Sequence, residues 1–395
     1  MFLKKIIYFD NAATTPVAKE VLNAMLPWYT ERYGNPSSIF YSIGGEGREA
    51  LDKARTQVAK ALGCDASEIY FTGCGTEADN WAIKGTADKM AKAGKKHIIT
   101  SSIEHHAVLH SMKALEAKGF TVTYLPVDAD GFVSPDDVKA AIRPDTALVT
   151  IMYANNEIGT IEPIREIGAI CREAGVYFHT DAVQAVGAVP IDVKADNIDM
   201  LSLSAHKFNG PKGVGALYVR RGIMPTTFMD GGAQERGHRA GTENVAGIVG
   251  LGEAIERATV NLAAKTAHVK GLRNMLLEHI LTMPQVKING TLDLERRLPN
   301  NLNVSFPAAE GESLLLFLDM KGICVSSGSA CASGSLDPSH VLLAIGLAHE
   351  MAHCSLRFSF GAQNTGEEVS FVCSALDEIV AKVRERSPLW HEMEK

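Results

Sequence analysis

Residue types that do chemistry follow several predicted strands of this sequence, at the points where those strands end. Lys207 follows DMLSLS, Asp181 follows VYFHT and His105 follows HIITSS. A lysine held at the end of a buried strand has a lowered pKa, which frees its amine for Schiff-base chemistry. A glycine-rich turn, GCGT at 73–76, follows EIYFTG and opens a helical stretch, so its backbone N–H groups are placed to bind a phosphate.

Considered singly, each of these residues also has a purely structural interpretation. Asp181 caps the turn after its strand, Lys207 extends its ammonium group to the surface, and GCGT forms a tight strand-to-helix turn. His106 and His110 have the i, i+4 spacing of metal ligands, but no cysteine or carboxylate is placed to complete a site. A surface histidine pair is therefore favoured, and His105 is the better functional candidate because it lies at the strand end.

Taken together, the same residues meet the requirements of pyridoxal phosphate. The aldehyde of this cofactor takes a lysine, its ring nitrogen needs a carboxylate, its phosphate needs N–H donors, and its ring needs a flat side chain against one face. Lys207, Asp181, the GCGT turn and His105 supply these groups in that order. Because ligands bind at the carboxyl ends of the strands in parallel α/β sheets, we expect these residues to lie close together.

The elements that must position these residues form an α/β pattern from about residue 46. EGREALDKARTQVAKALG (46–63) is an amphipathic helix ending at Gly63, and short apolar runs follow, each with a polar turn and a further helical stretch. This alternation predicts a mostly parallel sheet covered by helices. After about residue 260 the pattern becomes that of a smaller α+β domain. We expect a cofactor-binding large domain over 15–260 and a small domain from 1–14 and 261–395, which carries the Cys331 loop.

The bulk composition limits the class of protein. The chain has 395 residues, 46% hydrophobic and 22% charged, with a net charge of −7 and no block of Lys and Arg. This argues against nucleic acid or an anionic membrane as the main partner. No apolar run is long enough to span a bilayer, and MFLKKIIYFDNAATTP has no signal-peptide pattern. Seven scattered cysteines do not form a disulfide framework, which indicates a cytoplasmic protein.

Motifs in unbroken order from about residue 8 to 361 carry a family resemblance: NAATTP, YGNPSS, TGCGTEADN, ANNEIG, HTDAVQAVG, SLSAHKFNGPKG, HRAGTEN and SSGSACASGSLDPSHV. Together they resemble the cysteine desulfurases of the NifS/IscS type, which belong to the aminotransferase class V group of fold-type I pyridoxal-phosphate enzymes. The resemblance implies a homodimer with two shared sites. It also implies conversion of L-cysteine to L-alanine, with sulfur passed on to an iron–sulfur scaffold or another acceptor protein.

The resemblance further implies a role for individual residues. Lys207 would bind the cofactor's aldehyde, Asp181 its ring nitrogen and Gln184 its phenolic oxygen, while His105 would stack on the ring. The phosphate ligands that it implies are Gly75, Thr76, Ser204, His206 and, reaching the neighbouring subunit's site, Thr242. Gly75 stands where many relatives have Ala, and Ala205 where Gly is common. We expect both departures to matter little.

Cys331 is the sulfur acceptor that the resemblance implies, while Asn156 and the bidentate fork of Arg357 would bind the substrate's α-carboxylate. The cysteine lies in SSGSACASGSLDPSH, where Ser, Gly and Ala offer nothing to pack, so we expect a flexible tether that carries sulfur from the site. Considered alone, this stretch is by default a loop with an incidental cysteine. Its length resembles the NifS/IscS group, and it lacks the R-x-G-H-x-C pattern of the SufS group.

The predicted reaction uses two of these residues in turn. Lys207 removes the α-proton of bound L-cysteine, and the Cys331 thiolate then attacks the substrate's sulfur to leave a persulfide. His105 is a candidate proton donor or acceptor near the ring. We therefore expect loss of all turnover in Lys207→Ala and loss of the persulfide alone in Cys331→Ala.

Other functions remain compatible with parts of this sequence. A transaminase would keep the cofactor without needing Cys331, and a selenocysteine lyase would act on a related substrate. An assembly hub without catalysis would be expected to lack one of Lys207, Asp181 and Cys331, and all three are present. Trp390, in the tail SPLWHEMEK, either docks a partner or belongs to a packed terminal helix. The motifs do not distinguish nitrogenase maturation, general cluster assembly and tRNA thiolation.

Overall fold

The computed structural model describes residues 6–327 and 337–393. Its strands are β1 (Ile7–Tyr8), β2 (Ile69–Thr72), β3 (His97–Ser101), β4 (Thr121–Leu125), β5 (Thr146–Thr150), β6 (Tyr177–Asp181), β7 (Met200–Ser204), β8 (Gly215–Val219), β9 (Lys287–Asn289), β10 (Asn301–Ser305), β11 (Ile323–Cys324) and β12 (Ser355–Ser359). Its helices are α1 (Lys19–Met25), α2 (Pro27–Thr30), α3 (Ser42–Leu62), α4 (Gly75–Ala91), α5 (His106–Glu116), α6 (Pro135–Ala141), α7 (Ile164–Ala174), α8 (Gln234–Gly237), α9 (Val245–Val260), α10 (Leu262–Ile280), α11 (Gly311–Met320), α12 (His340–Ala344), α13 (His349–His353), α14 (Gly366–Glu385) and α15 (Pro388–Met393). Within these two ranges, no helix is long and apolar enough to cross a membrane.

The central sheet has seven strands in the order β2-β8-β7-β6-β5-β3-β4. Strands β3 to β7 pair in parallel with one another, whereas β8 lies antiparallel to both β2 and β7. Every residue of β3, β5, β7 and β8 is buried, as expected for strands covered on both faces. The prediction of a mostly parallel α/β sheet is confirmed, and the carboxyl ends of β6 and β7 lie side by side.

Two connections differ from the predicted alternation of strands and helices. Residues 182–199, between β6 and β7, form turns and isolated bridges, while residues 205–214, between β7 and β8, form a 3₁₀ turn and bends. Gly187, with φ +75°, and Pro190 interrupt the first segment, because neither favours continuation of a helix. The second segment joins antiparallel strands and needs no crossover helix. Irregular backbone therefore borders the ends of β6 and β7.

A second group of elements packs around its own apolar core. β9, β10 and β12 form an antiparallel sheet in the order β12-β10-β9, and α10, α11 and α14 pack nearby. Leu302, Leu314 and Leu376 are fully buried in this core, together with Phe9 from the beginning of the chain. Burial of each leucine contributes about 1.5–3 kcal/mol. The N-terminal segment thus packs with C-terminal elements, while the boundary at 260/261, between α9 and α10, remains a prediction.

Two local predictions, the end of α3 and the role of Trp390, can be compared with the structure. α3 ends at Gly63, whose φ of +74° places it in the left-handed region, which confirms the predicted C-cap. At the other end of the chain, the tail forms α15. The Arg384 guanidinium lies over the Trp390 ring, with Cζ 4.2 Å from the ring centroid. This contact favours the packed-helix interpretation of Trp390.

Candidate functional site

Adjacent parallel strands place Asp181 and Lys207 at one edge of the central sheet. Asp181 is the last residue of β6, and Lys207 is the last residue of the 3₁₀ turn that follows β7. Asp181 pairs in register with Ser202 on β7. The amine and the carboxyl group therefore enter the site from neighbouring strands.

The Lys207 amine lies against the backbone of the NAATTP motif. Its Nζ donates to the carbonyl oxygens of Ala12 at 2.6 Å and Ala13 at 2.9 Å. Gln184 Nε2 donates to the same Ala12 oxygen at 3.0 Å. These carbonyl oxygens orient both side chains. Sequence motifs did not indicate them, because motifs identify side chains and these acceptors belong to the main chain.

Asp181 is a buried carboxyl group whose surroundings shift its pKa in both directions. Burial raises its pKa, while His105, the hydrogen bond from Val183 and the Lys207 amine each lower it. The Val183 N–H donates to Oδ1 at 2.9 Å, so Asp181 also caps the following turn. His105 Nδ1 accepts from the Ala107 N–H at 3.1 Å at the start of α5. In the neutral imidazole this places the ring proton on Nε2.

Two more carboxyl groups, Asp79 and Glu104, are buried in the same region. Burial raises the pKa of Glu104 to about 8 and that of Asp79 well above its usual range, and the charge of Asp181 adds to both shifts. Glu104 Oε1 accepts from the Ser101 hydroxyl at 2.7 Å and from the Met152 N–H at 2.8 Å. Its Oε2 is buried and has no hydrogen-bond partner in the described part of the chain.

His179, two residues before Asp181 on β6, adds no positive charge to this region. Burial lowers its pKa to about 3. Its ring nitrogens lie 2.8 Å from Thr150 Oγ1 and 2.9 Å from Ser202 Oγ. The pocket around Asp181 is therefore rich in carboxyl groups and suits a positively charged ring nitrogen.

The start of α4 and the end of β7 form a cradle for an anion. α4 begins at Gly75, so the N–H groups of its first turn lack intrahelical partners and lie at the positive end of the helix dipole. Ser204 Oγ is buried and has no hydrogen-bond partner among the described residues. A Cβ on Gly75 would lie 2.6 Å from Val183 Cγ2, so the backbone approaches closely here. Thr76 is exposed in this first turn, and the whole arrangement fits a phosphate group.

His206 lies beside this cradle as a neutral imidazole. Burial lowers its pKa to about 4, and the charges of Lys207 and Lys212 add to the shift. Its Nδ1 is 3.1 Å from Thr14 Oγ1, and its carbonyl oxygen accepts from the Thr15 hydroxyl at 2.9 Å. A neutral imidazole retains one N–H donor, which is compatible with the predicted contact to a phosphate.

Arg357 is a buried guanidinium on β12 that pairs with the N-terminal segment. Its Nη2 donates to Asp10 Oδ1 at 2.9 Å, and its Nη1 donates to the Asn156 carbonyl oxygen at 3.0 Å. Its Nε is buried without a hydrogen-bond partner among the residues described. Asn156 thus meets Arg357 through its backbone, and the guanidinium keeps donor capacity for a further carboxylate.

Thr242 and Cys331 are the predicted residues that the described structure does not join to this cluster. Thr242 is exposed between α8 and α9. Arg239, three residues earlier, bonds Glu77 Oε1 in the first turn of α4 at 2.8 Å, which ties the HRAGTEN segment to the cradle. Cys331 lies outside the described residues, so its predicted role stays a prediction.

The histidine pair considered as a metal site lies on the first turns of α5. The ring centroids of His106 and His110 are 5.1 Å apart, and His340 lies 5.0 Å from His106. Within 6–327 and 337–393, no three potential ligands are arranged to hold a metal ion. These rings contact one another as a small aromatic group.

Sequence reasoning missed Asp10 and Glu157. Asp10 lies two residues after the end of β1, a position comparable to that of Asp181 at the end of β6. Glu157 is buried next to Asn156, and its carboxylate accepts a hydrogen bond from Ser339. The signal for Glu157 was weaker, because an acid inside an irregular connection is usually exposed.

Comparison with known proteins places this fold and site in a family. Residues 7–372 match the model of the family described as aminotransferase class-V. A cysteine desulfurase IscS of Clostridium botulinum is 57% identical over 394 residues, covering 100% of this chain and 99% of that protein. One from Methanosarcina thermophila is 58% identical over 385 residues, covering 98% and 94%.

Solved structures agree with these sequence relatives. A NifS-like protein superimposes with a TM-score of 0.89 at 42% identity and covers 95% of this chain and 99% of its own. A structure described as SspA in complex with cysteine has a TM-score of 0.79 at 40% identity, covering 91% and 100%. The chain therefore belongs to the aminotransferase class V family. Within that family it is one of the cysteine desulfurases of the NifS/IscS type, which confirms the resemblance, and the family implies pyridoxal phosphate as cofactor.

Proposed function

We propose that this protein is a pyridoxal-phosphate-dependent cysteine desulfurase that converts L-cysteine to L-alanine and carries the sulfur on Cys331. The observation that supports the proposal most is the placement of Lys207 and Asp181 at neighbouring strand ends, beside a Ser204 hydroxyl that has no hydrogen-bond partner among the described residues. The names of the relatives support it as well, and one similar structure is described as a complex with cysteine.

The residues at the sheet edge fit the cofactor. Lys207 Nζ would hold the aldehyde, Asp181 the ring nitrogen and Gln184 the phenolic oxygen, with His105 against the ring. The phosphate would be held by Gly75, Thr76, Ser204, His206 and, from the neighbouring subunit, Thr242. When bound, pyridoxal phosphate supplies an electron sink for the bonding electrons released at the substrate's α-carbon.

The chain's own residues place the substrate and move its protons. Arg357 and Asn156 would orient the α-carboxylate of L-cysteine through charge-assisted hydrogen bonds. Lys207 Nζ removes the α-proton, and His105 is the nearby group for a second proton transfer. The Cys331 thiolate then attacks the substrate's sulfur. A sulfur–sulfur bond forms and the substrate's carbon–sulfur bond breaks. The carbon that loses the sulfur takes up one proton, the α-carbon regains the proton that Lys207 removed, and the product leaves as L-alanine.

A homodimer is part of the same proposal. Apolar side chains between residues 26 and 41 are exposed, with Leu26 at 51%, Tyr33 at 72% and Phe40 at 93% exposure. A surface group of this kind marks an interaction site, and a second copy of the chain would cover it. Sedimentation velocity of wild type and Phe40→Ser tests this. We expect a dimer for the wild type and a weaker dimer for the variant, and a monomeric wild type would contradict it.

The sulfur acceptor and the compartment follow from the same reasoning. An iron–sulfur scaffold or another acceptor protein would take the persulfide sulfur, because a persulfide on the enzyme must be discharged before the next turnover. The six cysteines in the described ranges are free thiols. They support a reducing, cytoplasmic setting.

An absorption spectrum before and after addition of L-cysteine, with alanine assayed in the same sample, tests the proposed function. We expect a yellow wild-type protein whose band shifts as alanine appears, and a Lys207→Ala variant without that band. Cys331→Ala should keep the band and its shift but form no persulfide. A wild type that stays colourless after incubation with pyridoxal phosphate would overturn the proposal. Normal sulfide release by Cys331→Ala would instead favour chemistry that does not need this thiol.

A further inference from the structure

Glu157 is a buried carboxyl group that contacts or faces three parts of the site. Its side chain is 6% exposed, and its Oε2 accepts a short hydrogen bond from the Ser339 hydroxyl. Burial raises its pKa to about 7, while the bond from Ser339 and the charges of Arg357 and His105 lower it. The carboxyl group therefore lies near the residues assigned to the substrate's carboxylate and to the cofactor ring.

The backbone of Glu157 is fixed on both sides, so its side chain starts from a rigid position. Its N–H donates to Asn155 Oδ1 at 2.8 Å. Its carbonyl oxygen accepts from Asn301 Nδ2 and Asn303 Nδ2, each at 3.1 Å. Asn303 pairs in register with Arg357 across β10 and β12. The same strand pair thus positions Glu157 and Arg357.

Ser339, the partner of Glu157, begins the element that follows the Cys331 stretch. It is 5% exposed, and its Oγ accepts from the Leu342 N–H at 3.2 Å as the N-cap of α12. On the other side of that stretch, the Ser326 N–H donates to the Arg357 carbonyl oxygen at 3.2 Å, and the Arg357 N–H donates to the Ser326 carbonyl oxygen at 2.6 Å. Both described flanks of residues 328–336 are therefore attached to the carboxylate-binding part of the site.

From these contacts we propose that Glu157 is a positioning residue for sulfur transfer, which holds Ser339, the first buried residue after the stretch that carries Cys331. Glu157 itself touches no reacting atom. The inference rests on the proposed function, because it assigns Glu157 a part in the transfer to Cys331. Glu157 was not among the site residues that the sequence predicted.

The covalent reach of the chain explains why such an anchor matters. Cys331 follows Ser326 by five residues and precedes Ser339 by eight. At about 3.5 Å per extended residue, these attachments keep the thiol within about 17 Å of Ser326 and about 28 Å of Ser339. Loss of the attachment at Ser339 lengthens the chain between the fixed points on either side of Cys331, and a longer connection lowers the effective concentration of a tethered group.

The test compares two rates in single-turnover samples of the holoenzyme with L-cysteine in heavy water. Deuterium entering the α-position reports the proton-transfer steps, and mass spectrometry of the Cys331 peptide reports persulfide. We expect the ratio of persulfide formation to deuterium uptake to fall about tenfold in Glu157→Ala. Glu157→Gln should restore most of it, because the amide oxygen still accepts from Ser339.

Two further variants keep the result interpretable. Ser339→Ala removes the same hydrogen bond from the other side and should lower the ratio as well, with no further loss in the double variant. Glu162→Ala is the matched control, because Glu162 is another buried acid of this connection but bonds the Val133 N–H at 2.9 Å. It should leave the ratio unchanged even if it destabilises the fold.

The outcomes separate this inference from the proposed function. An unchanged ratio in Glu157→Ala or Ser339→Ala, beside a wild type that forms the persulfide, overturns the positioning role alone. A wild type that forms no persulfide overturns the proposed function. If Glu157→Ala fails to fold by circular dichroism, Ser339→Ala and Glu157→Gln decide the matter. An equal fall of the ratio in Glu162→Ala would also refute the role, since it would mark a general loss of stability.

Discussion

Two buried regions border the site and differ in how their charged side chains are paired. On β12, the Arg357 guanidinium already has a carboxylate partner in Asp10, 2.9 Å away. At the end of β6, Asp181 is surrounded by further acids, since Asp79 and Glu104 are buried nearby and their pKa values are raised. The first region pairs its cation with an acid, whereas the second holds three buried acids beside the Lys207 amine and His105.

This difference indicates which buried charges are paired within the protein and which would gain an oppositely charged partner from a ligand. An unpaired buried charge is strongly unfavourable, so a buried acid either gains a cation or takes up a proton. A protonated ring nitrogen beside Asp181 would supply a further positive charge next to this carboxyl group. Arg357 already has Asp10 as a partner, and its Nε, which has no hydrogen-bond partner within 6–327 and 337–393, can donate to a substrate carboxylate.

The largest effect is expected from neutralising Asp181, the acid that we propose to pair with the cofactor's ring nitrogen. We expect Asp181→Asn to lose about a hundredfold or more of turnover, because the ring nitrogen loses the charge that keeps it protonated. Asp79→Asn is the control and should have a far smaller effect, since the raised pKa of Asp79 already favours its neutral form. Steady-state alanine formation measures both, and equal losses would remove the distinction between the two acids.

A substitution of Arg357, in the region around β12, should weaken binding of the substrate. A lysine at 357 cannot reproduce the fork that bonds Asp10 and Asn156 together. We expect Arg357→Lys to raise the KM for L-cysteine about tenfold, with a smaller change in kcat. Arg165→Lys is the control, because that side chain is 71% exposed in its pair with Asp196. A lowered kcat at unchanged KM would argue against a carboxylate-binding role.

The acid-rich region should also affect stability as a function of pH. Glu104 has an ordinary pKa of 4.5 that burial raises to about 8, so between these values the folded state holds a proton that the unfolded state has lost. Stability is therefore expected to fall as pH rises through this window, by up to about 1.4 kcal/mol per pH unit from this group.

Glu104→Gln should reduce this slope by the contribution of Glu104, because the amide cannot ionise, while the other buried acids with raised pKa values, such as Asp79 and Glu157, keep theirs. Denaturant midpoints measured from about pH 5 to about pH 8 for the wild type and the variant test it. Glu295→Gln, whose side chain is 82% exposed in the wild type, should keep the full slope. A variant with the wild-type slope would show that Glu104 is not the group responsible.

The smallest expected effect concerns the phosphate cradle. A Cβ on Gly75 would lie 2.6 Å from Val183 Cγ2, so an alanine at this position would crowd Val183 in this chain. We expect Gly75→Ala to cost about 1 kcal/mol of stability by overpacking. Adding Val183→Ala should restore most of it, and thermal unfolding of the single and double variants measures the effect. An undiminished stability in Gly75→Ala would support the original expectation that this departure matters little.

The sequence predicted those parts of the site that depend on strand ends and on short motifs. Lys207 and Asp181 were selected because parallel strands bring their carboxyl ends together, and the sheet does place them on neighbouring strands. The Asp10–Arg357 pair joins residues 347 positions apart, and nothing in one sequence specifies which acid meets which arginine. Main-chain acceptors such as the Ala12 carbonyl leave no residue-type signal, because every residue has one.

Mass spectrometry of the holoenzyme after a single turnover with L-cysteine, with alanine quantified in the same sample, tests whether Cys331 accepts the sulfur. We expect one added sulfur atom on the peptide that contains Cys331, in an amount equal to the L-alanine formed, and none in Cys331→Ser. Alanine without added sulfur on that peptide, or sulfur on another thiol such as Cys74 in the cradle turn, would contradict it.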